Sequence, residues 1–142
     1  MIRNESEYRQ ALLRFEQETK RLTEHRSRLK KTGLTASELK RALDPLRSFN
    51  LQLSEELQAY RKLAKGEVPP ILNLHGLGRS LVLLRLARGV SQRELARRLG
   101  VHESQVSRDE RNDYHGIAVE RAQRILDALS VEMTSDFELG ER

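Results

Sequence analysis

The sequence lacks cysteine altogether and has no tryptophan among its 142 residues. Without cysteine there can be no disulfide, thiolate metal site or cysteine nucleophile, a composition that suits a reducing cytoplasm. The longest strictly aliphatic run, residues 81–84, is too short to span a membrane. Residues 1–7 lack the apolar stretch of a signal peptide. We therefore expect a cytoplasmic protein with no membrane partner.

Residue patterns for catalysis are also missing. The four histidines show none of the paired spacings that hold a metal, and no glycine-rich loop could cradle a phosphate. Aromatic residues make up only 4 % of the chain, whereas charged residues make up 33 %. We expect a protein that is not an enzyme and that has neither a cofactor nor a metal. An aliphatic core without strand-like alternation predicts an all-α fold.

A boundary between two regions is predicted at residues 65–70. Gly66 can end a helix, and Pro69 and Pro70 cannot continue one. We predict a helical arm over 1–65, a linker over 66–70, a compact helical domain over 71–133 and a frayed tail over 134–142. The net charge of +5 weakly favours a polyanionic partner.

Apolar residues spaced alternately four and three apart form two heptad seams in the arm. The seam residues that we assign to a dimer or partner contact are Tyr8, Leu12, Phe15, Leu22, Leu39, Leu43, Leu46, Leu53, Leu57 and Tyr60. Two such seams fit either an antiparallel hairpin within one chain or two chains zipped together. Asn50, also on a seam, could set the register of an oligomer or be an ordinary polar residue at a half-exposed position.

Helix-terminus signals divide the arm. Residues 31–33 predict a stop, and Thr35 with Glu38 has the spacing of a capping box that starts the next helix. Asp44 and Pro45 interrupt the second seam. The helix could restart there, with Asp44 as N-cap, or continue with a kink.

Residues 89–110 carry the most informative pattern. Ser91 and Glu94 can cap a helix whose apolar face ends before Gly100, which can take a positive φ. Val101 is expected to pack under the turn, and Val106 to anchor the following helix. The surrounding helices are predicted near 77–88, 91–99, 103–111 and 117–129. Two helices joined by a tight glycine turn predict a helix-turn-helix, whose second helix enters the DNA major groove.

Over residues 77–131 the sequence resembles the Xre family, the helix-turn-helix class of Cro and phage repressors. The resemblance implies a structural ion pair between Arg85 and Glu110. It implies a homodimer on a palindromic double-stranded DNA operator. It assigns base reading to Glu103, Ser104, Ser107 and Arg108, and phosphate contact to Gln92, Arg93, Arg97 and Arg98.

Two departures from the family pattern lie in the predicted recognition helix. His102 occupies the N-cap position, where Ser, Thr, Asn or Asp is preferred. Residues 103–111 carry three acids and two arginines, although residues 77–98 carry six arginines and one acid. An acidic recognition helix leaves open an alternative in which the domain binds DNA weakly or not at all and contacts a protein partner instead.

The start of the arm gives a second resemblance. Residues 2–13 and 57–63 resemble the N-terminal helical region of HigA-like antitoxins. That family implies a protein that neutralises a cognate toxin and represses its own type II toxin-antitoxin operon. A phage-type repressor without a toxin has the same layout. The sequence therefore predicts a DNA-binding transcriptional repressor, with the antitoxin as its more specific form.

Overall fold

The computed structural model describes all residues from 1 to 142 and contains six α-helices and no β-strand, which confirms the all-α prediction. The helices are α1 Glu5–Lys31, α2 Ala36–Ala64, α3 Leu77–Ala87, α4 Gln92–Leu99, α5 Glu103–Arg111 and α6 Val119–Ala128. The chain divides into two compact units, Met1–Lys62 and Leu63–Arg142. None of the helices is both long and apolar enough to cross a membrane.

The first unit is an antiparallel hairpin of α1 and α2. The rings of Tyr8 and Tyr60 stack with centroids 4.9 Å apart, and Arg61 Nε donates to Tyr8 Oη at 2.8 Å. Further along, the Thr19 hydroxyl lies 3.4 Å from Asn50 Oδ1. Early residues of α1 therefore meet late residues of α2, so within one chain the two helices form a hairpin, the first of the two alternatives.

The two seams lie on the less exposed faces of the hairpin. Leu43, Leu53 and Leu57 are buried, whereas no residue of α1 is fully buried. The remaining seam residues are half-buried, namely Tyr8, Leu12, Phe15, Leu22, Leu39, Leu46 and Tyr60. Asn50 is half-buried as well, and its amide faces Thr19 of the same chain.

The turn between α1 and α2 follows the predicted signals. Gly33 has a φ of +76°, a left-handed conformation that glycine adopts without steric cost. Thr35 Oγ1 accepts from Glu38 N at 3.2 Å, and Glu38 Oε2 accepts from Thr35 N at 3.3 Å. This reciprocal pair confirms the capping box at the start of α2.

Helix α2 does not restart at Asp44 and Pro45. It runs unbroken from Ala36 to Ala64 with Pro45 inside it, so of the two alternatives the continuous helix holds. Proline in a helix interior costs about 3 kcal/mol because it removes one backbone hydrogen bond and crowds the preceding turn. Buried Leu43 and half-buried Leu46 lie on either side, and packing along the seam offsets that cost.

The second unit has one aliphatic core made by α3 to α6. Its buried members are Leu81, Val82, Leu95, Ala96, Val106, Tyr114, Ala122, Ile125, Leu126 and Leu129. The four helices begin and end within two residues of their predicted limits. Residues 131–142 form no helix, and Phe137 and Leu139 in that segment are almost fully exposed.

Candidate nucleic-acid interface

Local backbone chemistry fixes the turn between α4 and α5. Ser91 caps α4 by accepting from Glu94 N at 3.0 Å. Gly100 ends α4 with a φ of +69°, and Val101 N donates back to Ala96 O at 3.0 Å. Because Ala96 and Val106 are buried, the two helices cross at close range, as a helix-turn-helix requires.

His102 is the N-cap of α5 despite its unusual residue type. Its Nδ1 accepts from Ser104 N at 3.1 Å, and its backbone is extended, as an N-cap residue requires. The Ser104 hydroxyl also lies 2.8 Å from the same ring nitrogen. The imidazole therefore replaces the usual side-chain oxygen and secures the start of α5.

The four residues predicted to read bases share one side of α5. Glu103, Ser104 and Arg108 are exposed, and Ser107 is half-buried. Val106 and Glu110 lie on the part of the helix that packs into the domain, and they are 1 % and 0 % exposed. Helix α5 thus divides into a face that packs and a face that is open to a ligand.

Arg85 and Glu110 form a bidentate ion pair that joins α3 to the end of α5. Arg85 Nε contacts Glu110 Oε1, and Arg85 Nη2 donates to Glu110 Oε2 at 2.9 Å. Arg85 Nη1 also donates to Val90 O at 2.8 Å, and Gln92 Nε2 donates to Glu110 Oε2 at 2.7 Å. With both charges buried, these bonds satisfy groups that would otherwise be costly to remove from water.

A second ion pair on α5 has no counterpart in the sequence predictions. Arg121 Nη2 of α6 contacts Asp109 Oδ2. Together with the Arg85–Glu110 pair, it leaves Glu103 as the one acidic residue of α5 without a basic partner. The unpaired charges of α5 are therefore Glu103, Arg108 and Arg111, a positive balance in place of the negative balance of the sequence.

The arginines of α4 differ in whether a carboxylate pairs with them. Arg93 is exposed and makes no ion pair. Arg97 and Arg98 both bond to Glu94, and their guanidinium groups hold the pKa of that carboxyl at about 2. Arg98 Nη1 also donates to Ala128 O at 2.8 Å, a contact that ties α4 to the end of α6.

Gln92 and Arg97, two of the predicted phosphate ligands, have different surroundings. Arg97 keeps 72 % of its side chain exposed while bonded to Glu94, so its charge faces solvent. Gln92 is the first residue of α4, and its side-chain amide nitrogen donates to Glu110 Oε2. A phosphate at this position would meet free backbone N–H groups and the positive end of the helix dipole.

Helix α3 packs directly against the loop that follows α5. A Cβ added to Gly78 would lie 2.0 Å from the carbonyl oxygen of Asp113, so only glycine fits. Asp113 and Tyr114 both have a φ of +50°, which is strained for residues with a side chain. Sequence reasoning missed Gly78, because the close approach depends on tertiary packing rather than on any local motif.

Tyr114 lies under the two ion pairs with its hydroxyl buried. The hydroxyl has no hydrogen-bond partner, although the side chain is only 5 % exposed. Burial, and then the carboxylates of Glu110 and Asp109, raise the pKa of Tyr114 above its usual range. The ring is therefore a core group, and it remains neutral over the physiological pH range.

Comparison with known proteins agrees with this geometry. Residues 81–135 match the model of the Helix-turn-helix family, which is of the Xre type, and the match suggests a DNA-binding transcription regulator. The matched residues begin in α3 and extend past α6, so they include both ion pairs of α5. The match does not reach the N-terminal hairpin. No curated protein and no solved structure matches the chain.

Proposed function

We propose that this protein is a sequence-specific transcriptional repressor that places α5 in the major groove of double-stranded DNA. The observation that carries the proposal is the pairing of Asp109 and Glu110 with Arg121 and Arg85. These pairs remove two carboxylates from the charge that α5 presents to DNA. They also hold the helix from two sides, as a rigid reading element needs.

Arg108 is the main base-reading residue in this proposal. It is exposed on the open face of α5, and its guanidinium can bind the two major-groove acceptors of guanine. In this proposal Glu103 accepts from a cytosine amino group, and Ser104 and Ser107 make shorter-range contacts. Gln92, Arg93, Arg97 and Arg98 bind phosphates and set the register of the domain on the duplex.

Two copies of the chain acting as a homodimer would read a palindromic operator. Half-sites would then lie about 34 Å apart, one turn of DNA, or a multiple of that distance. The hairpin supplies the dimer contact in this proposal, since Leu13 and Leu51 on its surface are 59 % and 61 % exposed. The protein regulates its own operon, as the antitoxin of a type II toxin-antitoxin pair.

The direct test is binding to the DNA upstream of the protein's own coding sequence, compared with a scrambled duplex, at two salt concentrations. We expect selective binding that survives physiological salt. Arg108→Ala should cost about 1–3 kcal/mol and relax the preference at one base position. Equal binding to both duplexes that vanishes with salt would overturn the repressor and favour the protein-partner alternative.

Arg97→Ala is the matched control for Arg108→Ala. Both variants remove one exposed arginine, yet loss of a phosphate contact should weaken binding to all sequences alike and lower the salt slope by about one. A uniform loss from Arg108→Ala would refute its base-reading role.

The antitoxin role needs a test of its own. Co-expression with the product of an adjacent reading frame should give a stable complex and relieve growth inhibition by that product. An adjacent product that neither inhibits growth nor binds would leave a repressor without a toxin.

A further inference from the structure

Positive charge is concentrated at the end of the hairpin that contains the turn between α1 and α2. We define the hairpin tip as residues 20–47, which are the last part of α1, the turn and the first part of α2. The tip carries nine lysines and arginines against three acidic residues. The rest of the unit, residues 1–19 and 48–62, carries five against six. A net charge of +6 at the tip exceeds the +5 of the whole chain.

None of the nine basic side chains forms an ion pair. All of them are exposed: Lys20, Arg21, Arg26, Arg28, Lys30, Lys31, Lys40, Arg41 and Arg47. By contrast, five of the arginines in the second unit are held by carboxylates or backbone carbonyls, as Arg85 and Arg98 are. The tip therefore presents charges that no group in the protein balances.

Helix stability accounts for only part of this charge. Arg28, Lys30 and Lys31 are in the last turn of α1, where cations interact favourably with the helix dipole. Lys40 and Arg41 are near the start of α2, at the positive end of its dipole, where cations gain nothing. Unpaired lysines and arginines this close together repel one another. Because the fold does not need all of them, their presence at the tip points to an anion outside the protein.

We propose that the hairpin tip is a second, sequence-independent binding surface for the phosphate backbone of duplex DNA. Residues 20–47 contain no phenylalanine, tyrosine or tryptophan, and the adjacent Phe49 ring has the Arg14 guanidinium 4.9 Å from its centroid, so the tip lacks the open stacking surface that single-stranded nucleic acids require. Its exposed cations suit phosphates at many positions along a duplex. The choice of DNA rests on the proposed function, because the helix-turn-helix holds duplex DNA at high local concentration around the same chain.

The test compares two full-length variants that lose the same charge in different places. The tip variant carries Lys20→Gln, Lys40→Gln and Arg41→Gln, and the control variant carries Lys62→Gln, Lys65→Gln and Arg142→Gln. Glutamine is a good helix former, so neither set should disturb folding, which circular dichroism checks. The probe is a random-sequence DNA duplex, and the measured quantity is the slope of log affinity against log salt.

We expect the tip variant to lower the magnitude of the salt slope by about two to three, close to one for each lost phosphate contact. The control variant should lower it by less than about one. Exchanging lysine and arginine at the three tip positions should keep the wild-type slope, because charge alone is needed. Equal slopes for the tip and control variants would overturn the proposal.

Selectivity separates this proposal from the proposed function. The ratio of affinities for the upstream DNA and its scrambled form should be the same in the wild type and the tip variant. A ratio of one in the wild type, which means equal affinity for the two duplexes, would refute the repressor. It would not affect the salt slopes measured on the random-sequence duplex. Tighter binding of the wild type to a double-stranded RNA of the same sequence, lost in the tip variant, would overturn DNA as the ligand.

Discussion

Arg121 of α6 pairs with Asp109 of α5, so the last helix of the domain neutralises a carboxylate on the recognition helix. The pair is partly buried, with 31 % of the arginine side chain and 25 % of the aspartate side chain exposed. On the proposed function, the pair explains how a helix with three acidic residues could approach DNA, because the electrostatic field depends on the net local charge and not on the residue composition of one helix.

The Arg121–Asp109 pair should therefore matter more for DNA binding than for stability. Arg121→Gln leaves Asp109 unbalanced and should weaken binding to every duplex by about threefold to tenfold, or roughly 0.6–1.4 kcal/mol. Stability should fall by only about 0.2–1 kcal/mol, because the pair is partly exposed. Adding Asp109→Asn to the same chain should restore most of the affinity in a fluorescence anisotropy titration.

Arg124→Gln is the control for this prediction. Arg124 lies on the same helix, is exposed and has no ion-pair partner. If both single variants lost the same affinity, Arg121 would be acting as a general positive charge rather than through Asp109.

Breaking the Arg85–Glu110 pair should damage the fold itself. Glu110→Ala leaves a buried guanidinium without its carboxylate and should lower the free energy of unfolding by about 3–5 kcal/mol. Urea denaturation measures this loss. Glu5→Ala removes the exposed pair with Arg9 and should cost no more than about 1 kcal/mol. Similar losses in the two variants would contradict the structural role of the buried pair.

Gly78→Ala distinguishes helix propensity from packing by the sign of the change in the free energy of unfolding. Alanine is favoured over glycine in a helix by about 1 kcal/mol, so propensity alone predicts a more stable protein. The Asp113 carbonyl leaves no room for a Cβ, and we expect a loss of about 1–3 kcal/mol in urea denaturation. Gly140→Ala, which meets open space, should change stability by less than about 0.5 kcal/mol. A more stable Gly78→Ala protein would show that α3 does not touch the loop after α5.

Tyr114→Phe should leave stability unchanged or raise it by about 1 kcal/mol. The buried hydroxyl has no partner, so removing it relieves a desolvation cost without losing a hydrogen bond. Tyr8→Phe is the contrasting variant, because its hydroxyl accepts from Arg61, and we expect a loss of about 0.5–1.5 kcal/mol. Destabilisation by Tyr114→Phe comparable to that by Tyr8→Phe would mean that the buried hydroxyl is bonded.

Features set by neighbouring residues could be predicted from the sequence. Thr35 and Glu38 lie three residues apart, so a capping box needs nothing beyond the local helix. Ser91 and Gly100 specify the ends of α4 in the same local way. Contact between Arg85 and Glu110, 25 residues apart, was expected only because the resemblance to the Xre family implied it.

Features set by the packing of distant elements could not be read from the sequence. The pairing of Asp109 with Arg121 depends on where α6 lies, and the fit of Gly78 depends on the path of the loop after α5. The sequence left open whether the helix restarts at Pro45, because a local rule cannot weigh the burial of Leu43 beside it. Heptad spacing specifies a buried face but not which chain covers it. The sequence therefore fits a hairpin within one chain and a pairing of two chains equally well.

The division of α5 into two faces bears on how such a protein could change its target over time. Val106 and Glu110 are buried in the domain, whereas Glu103, Ser104 and Arg108 are exposed. Exchanges at these outward positions should leave the fold near its original stability. After duplication of the gene, substitutions at a few exposed positions of α5 could therefore change the DNA sequence that the protein binds. No compensating substitutions in the core would be needed first.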